Sequence, residues 1–584
     1  MLVARDLEEV PDVLSAAASA VADGAWVGGW VGYEAAPAFD PALAVVPSGG
    51  SAFEDLPLAW FAVADGRGPV DVPVDARPTV PVHLADWRAG TSSREHAAAV
   101  AAIRTHIAAG ETYQVNLTFP LSAALDGRPA DLYRQLVASQ SGGYGAFVDT
   151  GDWVVASASP ELFFDWTDGV VTCRPMKGTA PRGPTLERDD RQRRWLEESS
   201  KNRAENVMIV DMVRNDLARI AQVGGVDVPA LFTLEKYDTL WQLTSTVTAR
   251  PRPDTTLVDV FGALFPSASI TGAPKVSTSR IIADLEASPR GVYCGAIGFG
   301  GPAPTGPQWT FNVGIRTVTI DRRTGIAHYG TGGGITIDSR PDEEHAEAVL
   351  KAQVLQRRSG AMHLLETMRW DPGEGVRQRD AHLARLARSA TWFDIDLDVE
   401  EVAAAIDRAV RAVPADDPSP LRLRLLVDRS GCCEVTATPL TVAGGHRGPG
   451  PPPVRAGSGG SAAGLTLAVD SVGVDPDDPW LHHKTTVRHV YEQATARHPG
   501  ADDVILVNDR GEVTETTIGN LVVHLDGRWV TPPLSSGLLA GTEREARLAA
   551  GDAVEQVVTV ADLRRADALG RLNSVRGWEP ARLA

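Results

Sequence analysis

Glu344, Glu347 and Lys351 are spaced by three and four residues, which places all three on one face of a helix. Alone, such a triplet reads as a solvated, salt-bridging face. Its setting adds to it. Just upstream lies Thr331-Gly332-Gly333-Gly334-Ile335, read as a glycine run between a strand and a helix, where backbone amides can approach an anion. Glu205 stands in KNRAENVMIVDMVRND, on a second, largely apolar helix. Carboxylates from two helices suit a hard cation such as Mg2+, which keeps waters and shares a substrate carboxylate. Lys177 precedes a Gly-Thr turn in Arg174-Pro175-Met176-Lys177-Gly178-Thr179. On a surface loop it would be ordinary. Buried, a lysine has its pKa lowered and becomes a nucleophile.

A second constellation occupies the last 220 or so residues. Lys484 sits in Leu481-His482-His483-Lys484-Thr485-Thr486. His382, Arg385 and Ser389 fall near one helix face, Glu515 opens Glu515-Thr516-Thr517-Ile518-Gly519-Asn520-Leu521, and Gly537-Leu538-Leu539-Ala540-Gly541-Thr542 offers a glycine loop with free amides. Each feature has an ordinary reading: surface lysine, amphipathic helix, hairpin, loop. Together they hold what pyridoxal phosphate needs: a lysine for the imine, a carboxylate for the pyridine nitrogen, and an arginine with loop amides for the phosphate.

The elements that must position these groups are legible in outline. Ser92 and Glu95 form a capping box, Val100, Ile103 and Ile107 share one face, and Gly110 stops the helix. A long helix is predicted over about Arg191 to Ala221, with Trp195, Met208, Ile209, Met212 and Leu217 as apolar positions, and another over about Asp342 to Gln356. Strands are predicted at Val154–Ala158, Leu162–Trp166, Val313–Ile320, Leu421–Val427 and Val504–Val507, with Val513 to Leu525 as a further arm after a turn at Asp509–Gly511. Residues 65–91 read as a loop region, 357–361 as a break between two patterns, and 443–464 as a flexible linker or surface insertion.

The chain of 584 residues has 56 basic and 75 acidic side chains, a formal charge of −19, which argues against general nucleic-acid binding and against docking on anionic lipid. Four cysteines, without C-x-x-C spacing, exclude a disulfide framework and disfavour a zinc site. MLVARDLEEVPDV lacks an apolar signal core, and no apolar run reaches a membrane span. The expectation is a reduced, cytoplasmic protein that binds neither nucleic acid nor membrane.

The strings ETYQVNLTFPL, ASPELFF, RPMKGTAPRG, KNRAENVMIVDMVRNDLARI, FPSASITGAPK, GVYCGAIGF, FNVGIRT and GTGGGITIDSRPDEEHAEAVLKA resemble, in order, the chorismate-utilising enzymes over about residues 90–356. The anthranilate and isochorismate types carry alanine before the Gly-Thr of RPMKGT. Lys177 there resembles the aminodeoxychorismate synthase branch. The resemblance implies an α+β fold of large antiparallel sheets flanked by helices. It implies Lys177 as the nucleophile and Glu161 as the general acid for the departing hydroxyl. Glu205 and Glu347 become direct Mg2+ ligands and Glu344 a water-mediated one. Thr179, Thr271, Tyr293, Arg316, Gly333, Gly334 and Lys351 become substrate contacts. Where anthranilate synthases carry a histidine, this chain has Gln242. GAWVGGWVGYEAAPAFD resembles the family's leading segment only weakly and reads as a structural strand and turn.

The order of motifs over about 362–584 resembles the fold-type IV pyridoxal-phosphate enzymes, a two-lobed fold that includes aminodeoxychorismate lyase and several aminotransferases. By that resemblance Lys484 holds the cofactor, Glu515 pairs with its ring nitrogen, Arg385, Thr517, Ile518, Gly541 and Thr542 hold its phosphate, and Thr367 in LLETMRW assists proton transfer. The motifs leave lyase and aminotransferase open, and LNSVRG resembles the ending of the lyase. The expected organisation is a chorismate-binding domain at 1–358 and a fold-type IV domain at 359–584. The fusion favours conversion of chorismate and ammonia to 4-aminobenzoate and pyruvate. Ammonia comes from a separate glutamine amidotransferase, since no cysteine lies in G-x-C-x-G. A homodimer through the second domain is a further expectation.

Overall fold

The computed structural model describes all residues except 70–82, 85–86, 139–142, 238–239, 305, 353–354, 356–361, 414–418 and 441–463. The break expected at 357–361 lies outside the described residues, as does the linker expected at 443–464 apart from Gly464 and most of the middle of the 65–91 loop. The chain divides into two compact units, one of residues 1–182 and 192–359, the other of 183–191 and 360–584.

The first unit is built on two large sheets, of ten and eight strands, whose described ladders are antiparallel. The polypeptide crosses from the eight-stranded to the ten-stranded sheet at Pro160–Glu161, between strands Trp153–Ser159 and Leu162–Thr167. It crosses back at Gly314–Arg316, between strands Gly306–Val313 and Thr317–Asp321. The two crossings are hydrogen-bonded together: Val313 N donates to Glu161 O (3.1 Å), Ala158 N to Arg316 O (3.1 Å), and Ser159 Oγ to Val313 O (2.7 Å). Glu161 and Arg316 are therefore held side by side in the chain path. The single strand expected over Val313–Ile320 is broken by this crossing, with Arg316 at φ 50°.

The helix at Ser93–Ala108 follows its capping box, with Ser92 N donating to Glu95 Oε2 (2.8 Å), and ends before Gly110 at φ 77°. The long helix expected from Arg191 divides instead into Leu186–Glu198 and Ser200–Ala218. Ser199 caps the second by accepting from Asn202 N, and a side chain that satisfies a free amide starts a new helix. Trp195 is more than half exposed rather than a core position. The glycine run precedes the helix Pro341–Ala352, as expected of a run between a strand and a helix. It is the end of the strand Ile326–Ile335, paired with Gln114–Asp126 from Gly330↔Pro120 to Ile335↔Val115. Its other neighbour, Thr317–Asp321, pairs only as far as Tyr329, which leaves the glycine stretch with one partner strand.

Arg290 ties these parts together. Its guanidinium is buried and bidentate on Glu286 (2.7 and 2.9 Å), and it donates to Ile270 O (2.9 Å) and Asn116 O (2.8 Å). Glu286 also accepts from Thr118 N at 2.8 Å.

The second unit has a four-stranded antiparallel sheet, with Leu364–Asp371 and Leu421–Val427 at its centre, packed on helices Arg379–Trp392 and Val399–Arg411. Its eight-stranded sheet is mixed, since Leu465–Val474 runs parallel to both neighbours. The two lobes meet at Lys484, whose carbonyl accepts from Leu365 N (2.9 Å). The arm expected over Val513–Leu525 is two strands, Val513–Thr516 and Asn520–Leu525, interrupted at Thr517-Ile518-Gly519. Among the described residues no helix is long and apolar enough to cross a membrane.

Arg290→Met leaves a buried Glu286 and two carbonyls unmatched. It is expected to destabilise the first unit by about 3–5 kcal/mol in urea unfolding, and Arg290→Met with Glu286→Leu by clearly less, because the double change removes both charges.

Candidate functional sites

Lys177 lies on the edge strand Met176–Pro181, which pairs with Leu240–Pro251. The register shifts between Met176↔Thr244 and Thr179↔Gln242, so Lys177 and Gly178 form a bulge opposite one partner residue. A bulge re-aims its side chains. Gly178 sits at φ 99°, and a Cβ there would stand 3.1 Å from Asn202 and from Leu243. Gln242 braces the bulge: its Nε2 donates to Gly178 O (2.9 Å) and its Oε1 accepts from Thr179 Oγ1 (3.0 Å). Asn206 Nδ2 donates to Lys177 O (3.0 Å) and is itself fixed by Ser245 (2.6 Å).

The amine of Lys177 stands 3.9 Å from Glu205 Oε2. Burial lowers its pKa, Glu205 opposes that, Lys351 reinforces it, and Glu347 and Glu344 oppose it again. Lys351 Nζ pairs with Glu347 Oε1 (2.8 Å) and donates to Gly332 O (3.0 Å). Burial raises the Glu344 carboxyl, whereas Lys351 and Lys177 outweigh burial at Glu347 and lower it. Among the described residues no three metal-ligating side chains converge on one point. The glutamates are divided between two ammonium groups. An all-carboxylate donor set fits a hard cation that takes one or two protein ligands and completes its shell with water and substrate, as Mg2+ does.

Glu161 is buried beside this group. Burial pushes its pKa up to about 7, against hydrogen bonds from Ser269 and from Met176 N and the charge of Lys177. The glycines supply room. A Cβ on Gly334 would lie 2.6 Å from Lys177 Nζ and 2.8 Å from Gln114 Nε2, whereas one on Gly333 would meet Glu344 and Lys351 at 3.5 and 3.6 Å. A Cβ on Gly330 would collide with the ring of Tyr293 at 2.1 Å. Arg316 is largely withdrawn from water, and burial lowers its pKa, opposed by Tyr329 and Tyr237. Thr271 is fully buried, with its hydroxyl donating to Ser267 O (2.9 Å). Thr179 is exposed and engaged with Gln242. Gln114 was not singled out by sequence reasoning. It is fully buried, and neither amide atom has a partner. Its only signal was its place in ETYQVNLTFPL.

In the second unit Lys484 is half-buried, and desolvation brings its pKa down to about 8, with Arg385 reinforcing and Glu366 opposing. Glu515 is buried and pushed up to about 7 by desolvation. It accepts from Tyr491 OH (2.8 Å), Asn520 Nδ2 (3.1 Å) and Leu539 N (3.3 Å). Sequence reasoning missed Tyr491 and Asn520, and also Arg488, which stacks on Tyr491 and donates to Thr517 O. The expected phosphate group is not uniform. Arg385 is bidentate on Glu366 and donates to Ala540 O (3.0 Å), and Thr542 starts the helix Thr542–Ala549 after Gly541. Thr517, by contrast, gives its hydroxyl and amide to Asp503 (2.5 and 3.0 Å), and Ile518 is exposed. Ser389 bonds to His483 rather than joining His382 and Arg385. Thr367 is tied to the LNSVRG string through Ser574, which donates to its carbonyl at 3.1 Å. A partly desolvated amine of lowered basicity near a buried carboxyl, with an arginine and a helix start alongside, fits pyridoxal phosphate.

Residues 4–357 match the model of the chorismate binding enzymes. The chain belongs to that family. Residues 363–584 match amino-transferase class IV, so a fold-type IV domain follows the chorismate-binding one. An aminodeoxychorismate synthase of Streptomyces griseus is 41% identical over 308 residues, covering 51% of this chain and 41% of the relative. Aminodeoxychorismate synthase component 1 of Klebsiella aerogenes is 38% identical over 261 residues, covering 45% of this chain and 57% of the relative. The chain thus spans about half the length of the curated relatives it matches. The crystal structure of anthranilate synthase component I from Streptococcus pneumoniae superposes with a TM-score of 0.51 at 25% identity, covering 59% of this chain and 86% of that one.

Gly334→Ala puts a methyl group onto Lys177 and Gln114, and chorismate affinity measured by calorimetry is expected to fall roughly tenfold or more. Gly333→Ala, with ordinary contacts, is expected to stay within about twofold. Glu161 yields a second expectation. An unfolded glutamate titrates near 4.5 and this one near 7, so its neutral form stabilises the fold fully below pH 4.5 and that contribution is lost as pH rises through 7. Glu161→Gln should flatten this part of the urea-midpoint profile between pH 4.5 and 7.

Proposed function

We propose that the first unit aminates chorismate at C4 and that the second eliminates pyruvate from the product to give 4-aminobenzoate, in folate synthesis. The observation that carries this reading is Lys177, a half-buried amine of lowered basicity on a bulge, beside a carboxyl that is protonated up to neutral pH. The kinship with relatives named aminodeoxychorismate synthase supports it.

In this reading the neutral amine of Lys177 attacks C2 of chorismate, both ring double bonds shift round the ring, and the C4–O bond breaks. Glu161 gives its proton to the departing hydroxyl, so water leaves. Ammonia then forms the C4–N bond, both double bonds shift back, and the C2–N bond to Lys177 breaks. The new amine's surplus proton returns to Glu161. Net, ammonia replaces hydroxyl at C4 on the face it left. Mg2+, when bound, supplies positive charge to a substrate carboxylate, with Glu205 and Glu347 as direct ligands and Glu344 through water. Arg316, Tyr293, Lys351 and the glycine stretch bind the rest of the substrate, with Thr179 and Thr271 bordering it. A separate glutamine amidotransferase supplies the ammonia.

Pyridoxal phosphate, when bound in the second unit, supplies an electron sink. Lys484 holds it, Glu515 pairs with its ring nitrogen, and Arg385, Gly541 and Thr542 hold its phosphate, with Thr517 and Ile518 at the margin. Lys484, close to half neutral near pH 8, takes the C4 proton of the aminated substrate, and Thr367 stands as an assistant in that transfer. The C3–O bond then breaks, the departing enolpyruvate takes up a proton to become pyruvate, and the ring is left aromatic.

The test is a time course on chorismate with ammonium, Mg2+ and pyridoxal phosphate, following 4-amino-4-deoxychorismate, 4-aminobenzoate and pyruvate by mass. Lys177→Ala is expected to abolish the first product. Lys484→Ala is expected to accumulate it and release no pyruvate. Unchanged amination in Lys177→Ala overturns the nucleophile. A requirement for an added keto acid, with no pyruvate released, makes the second unit an aminotransferase.

A further inference from the structure

One buried carboxylate organises the anion-holding side of the second site. Glu366 lies on the strand Leu364–Asp371 with its side chain 2% exposed. Its Oε1 accepts from Arg385 Nε (2.8 Å), and its Oε2 accepts from Arg385 Nη2 (2.6 Å) and contacts His382 Nδ1 (2.7 Å). Both arms continue to the same loop. Arg385 Nη1 donates to Ala540 O (3.0 Å), and His382 Nε2 meets Thr542 Oγ1 at 3.3 Å. Ala540 and Thr542 flank Gly541, whose missing Cβ would lie 1.9 Å from Asn520 Oδ1. That same Asn520 holds Glu515. The carboxylate meets three groups on its two oxygens, so most of its accepting capacity is spent within the protein. The groups it holds are different. Arg385 keeps guanidinium hydrogens beyond those used here, and Thr542 begins a helix of eight residues with no side-chain cap.

We propose that Glu366 is the positioning residue of the cofactor's phosphate site: it fixes Arg385 directly and Thr542 through His382, so that both face one anion. This rests on the pyridoxal-phosphate reading given above and goes beyond it, because the LLETMRW string pointed to Thr367 and gave Glu366 no role. Its charge serves two ends. It matches the guanidinium, which otherwise would be a second uncompensated cation beside Lys484. It also orients the imidazole by accepting from Nδ1–H, so that Nε2 accepts from the Thr542 hydroxyl and fixes Thr542 with its backbone N–H towards the anion.

The test uses the full chain stripped of cofactor and titrated with pyridoxal phosphate. Glu366→Gln keeps the shape and removes the charge, and His382→Phe cuts the arm to Thr542 alone. The readouts are the cofactor dissociation constant by absorbance, the 31P resonance of the bound phosphate, and the melting temperature of the cofactor-free chain. Glu366→Gln is expected to weaken binding by roughly tenfold or more and to move the 31P resonance, with His382→Phe giving a smaller change in the same direction. Lower melting of the cofactor-free chain, with affinity and 31P resonance as in the wild type, makes Glu366 merely structural and overturns the proposal. If Glu366→Gln does not fold, His382→Phe decides: weakened binding with a moved resonance supports the proposal, and wild-type behaviour overturns it. A wild-type chain that takes up no pyridoxal phosphate overturns the cofactor reading and this proposal together, whereas tight wild-type binding with indifferent variants overturns this one alone.

Discussion

A lysine taken out of water keeps its proton only as far as nearby carboxylates compensate for the lost hydration, and this chain sets up that balance twice. At Lys177, burial and Lys351 pull the amine towards neutrality while Glu205, Glu347 and Glu344 resist. At Lys484, burial and Arg385 pull the same way while Glu366 resists. Both sites pair the amine with a carboxyl that burial has pushed the other way, Glu161 in the first unit and Glu515 in the second, each to about 7. The proton inventory near neutrality is therefore set by desolvation more than by any single contact, and the surrounding scaffold has to keep water out.

That scaffold works through irregularities in otherwise regular elements. The bulge at Lys177-Gly178 turns the amine out of the ladder, and Gln242, Asn206 and Ser245 lock the turned backbone. The two crossings between sheets carry Glu161 and Arg316, and their shared hydrogen bonds make the placement of one depend on the other. In the second unit the interruption at Thr517-Ile518-Gly519 is anchored by Asp503, itself paired with the buried Arg571 at 2.8 Å. A ladder interrupted in the interior leaves backbone groups that must find other partners, and here side chains supply them.

The glycine stretch shows how chemistry and packing share one segment. Gly330 and Gly332 are needed because Tyr293 and the Leu117 carbonyl press against them, a packing constraint. Gly334 is needed because Lys177 and Gln114 occupy the space its side chain would fill, which is a constraint of the site. The same residue type, four times in five positions, answers two separate demands along one strand, with Gly330, Gly332 and Gly334 on the same face.

Sequence by itself determined the residue types and their local setting. The helix capped by Ser92, the strand Leu421–Val427 and the face shared by Glu344, Glu347 and Lys351 follow from spacing and capping chemistry, which act over a few residues. The two lysines and the glutamates around them were likewise legible as motif strings. The places where pattern reading failed were decided over long range. Val313–Ile320 and Val513–Leu525 were read as continuous because their apolar patterns run through, whereas the sheets break them at Arg316 and Thr517. The glycine run is legible as lying between a strand and a helix, but its pairing with Gln114–Asp126 along one edge only is set by the sheet. Gln114, Tyr491, Asn520 and Glu366 carried no signal of their own. A buried polar side chain acquires its role from whichever groups tertiary packing brings within reach and from the loss of water that makes those contacts count, and neither quantity is written in the residues beside it in the chain.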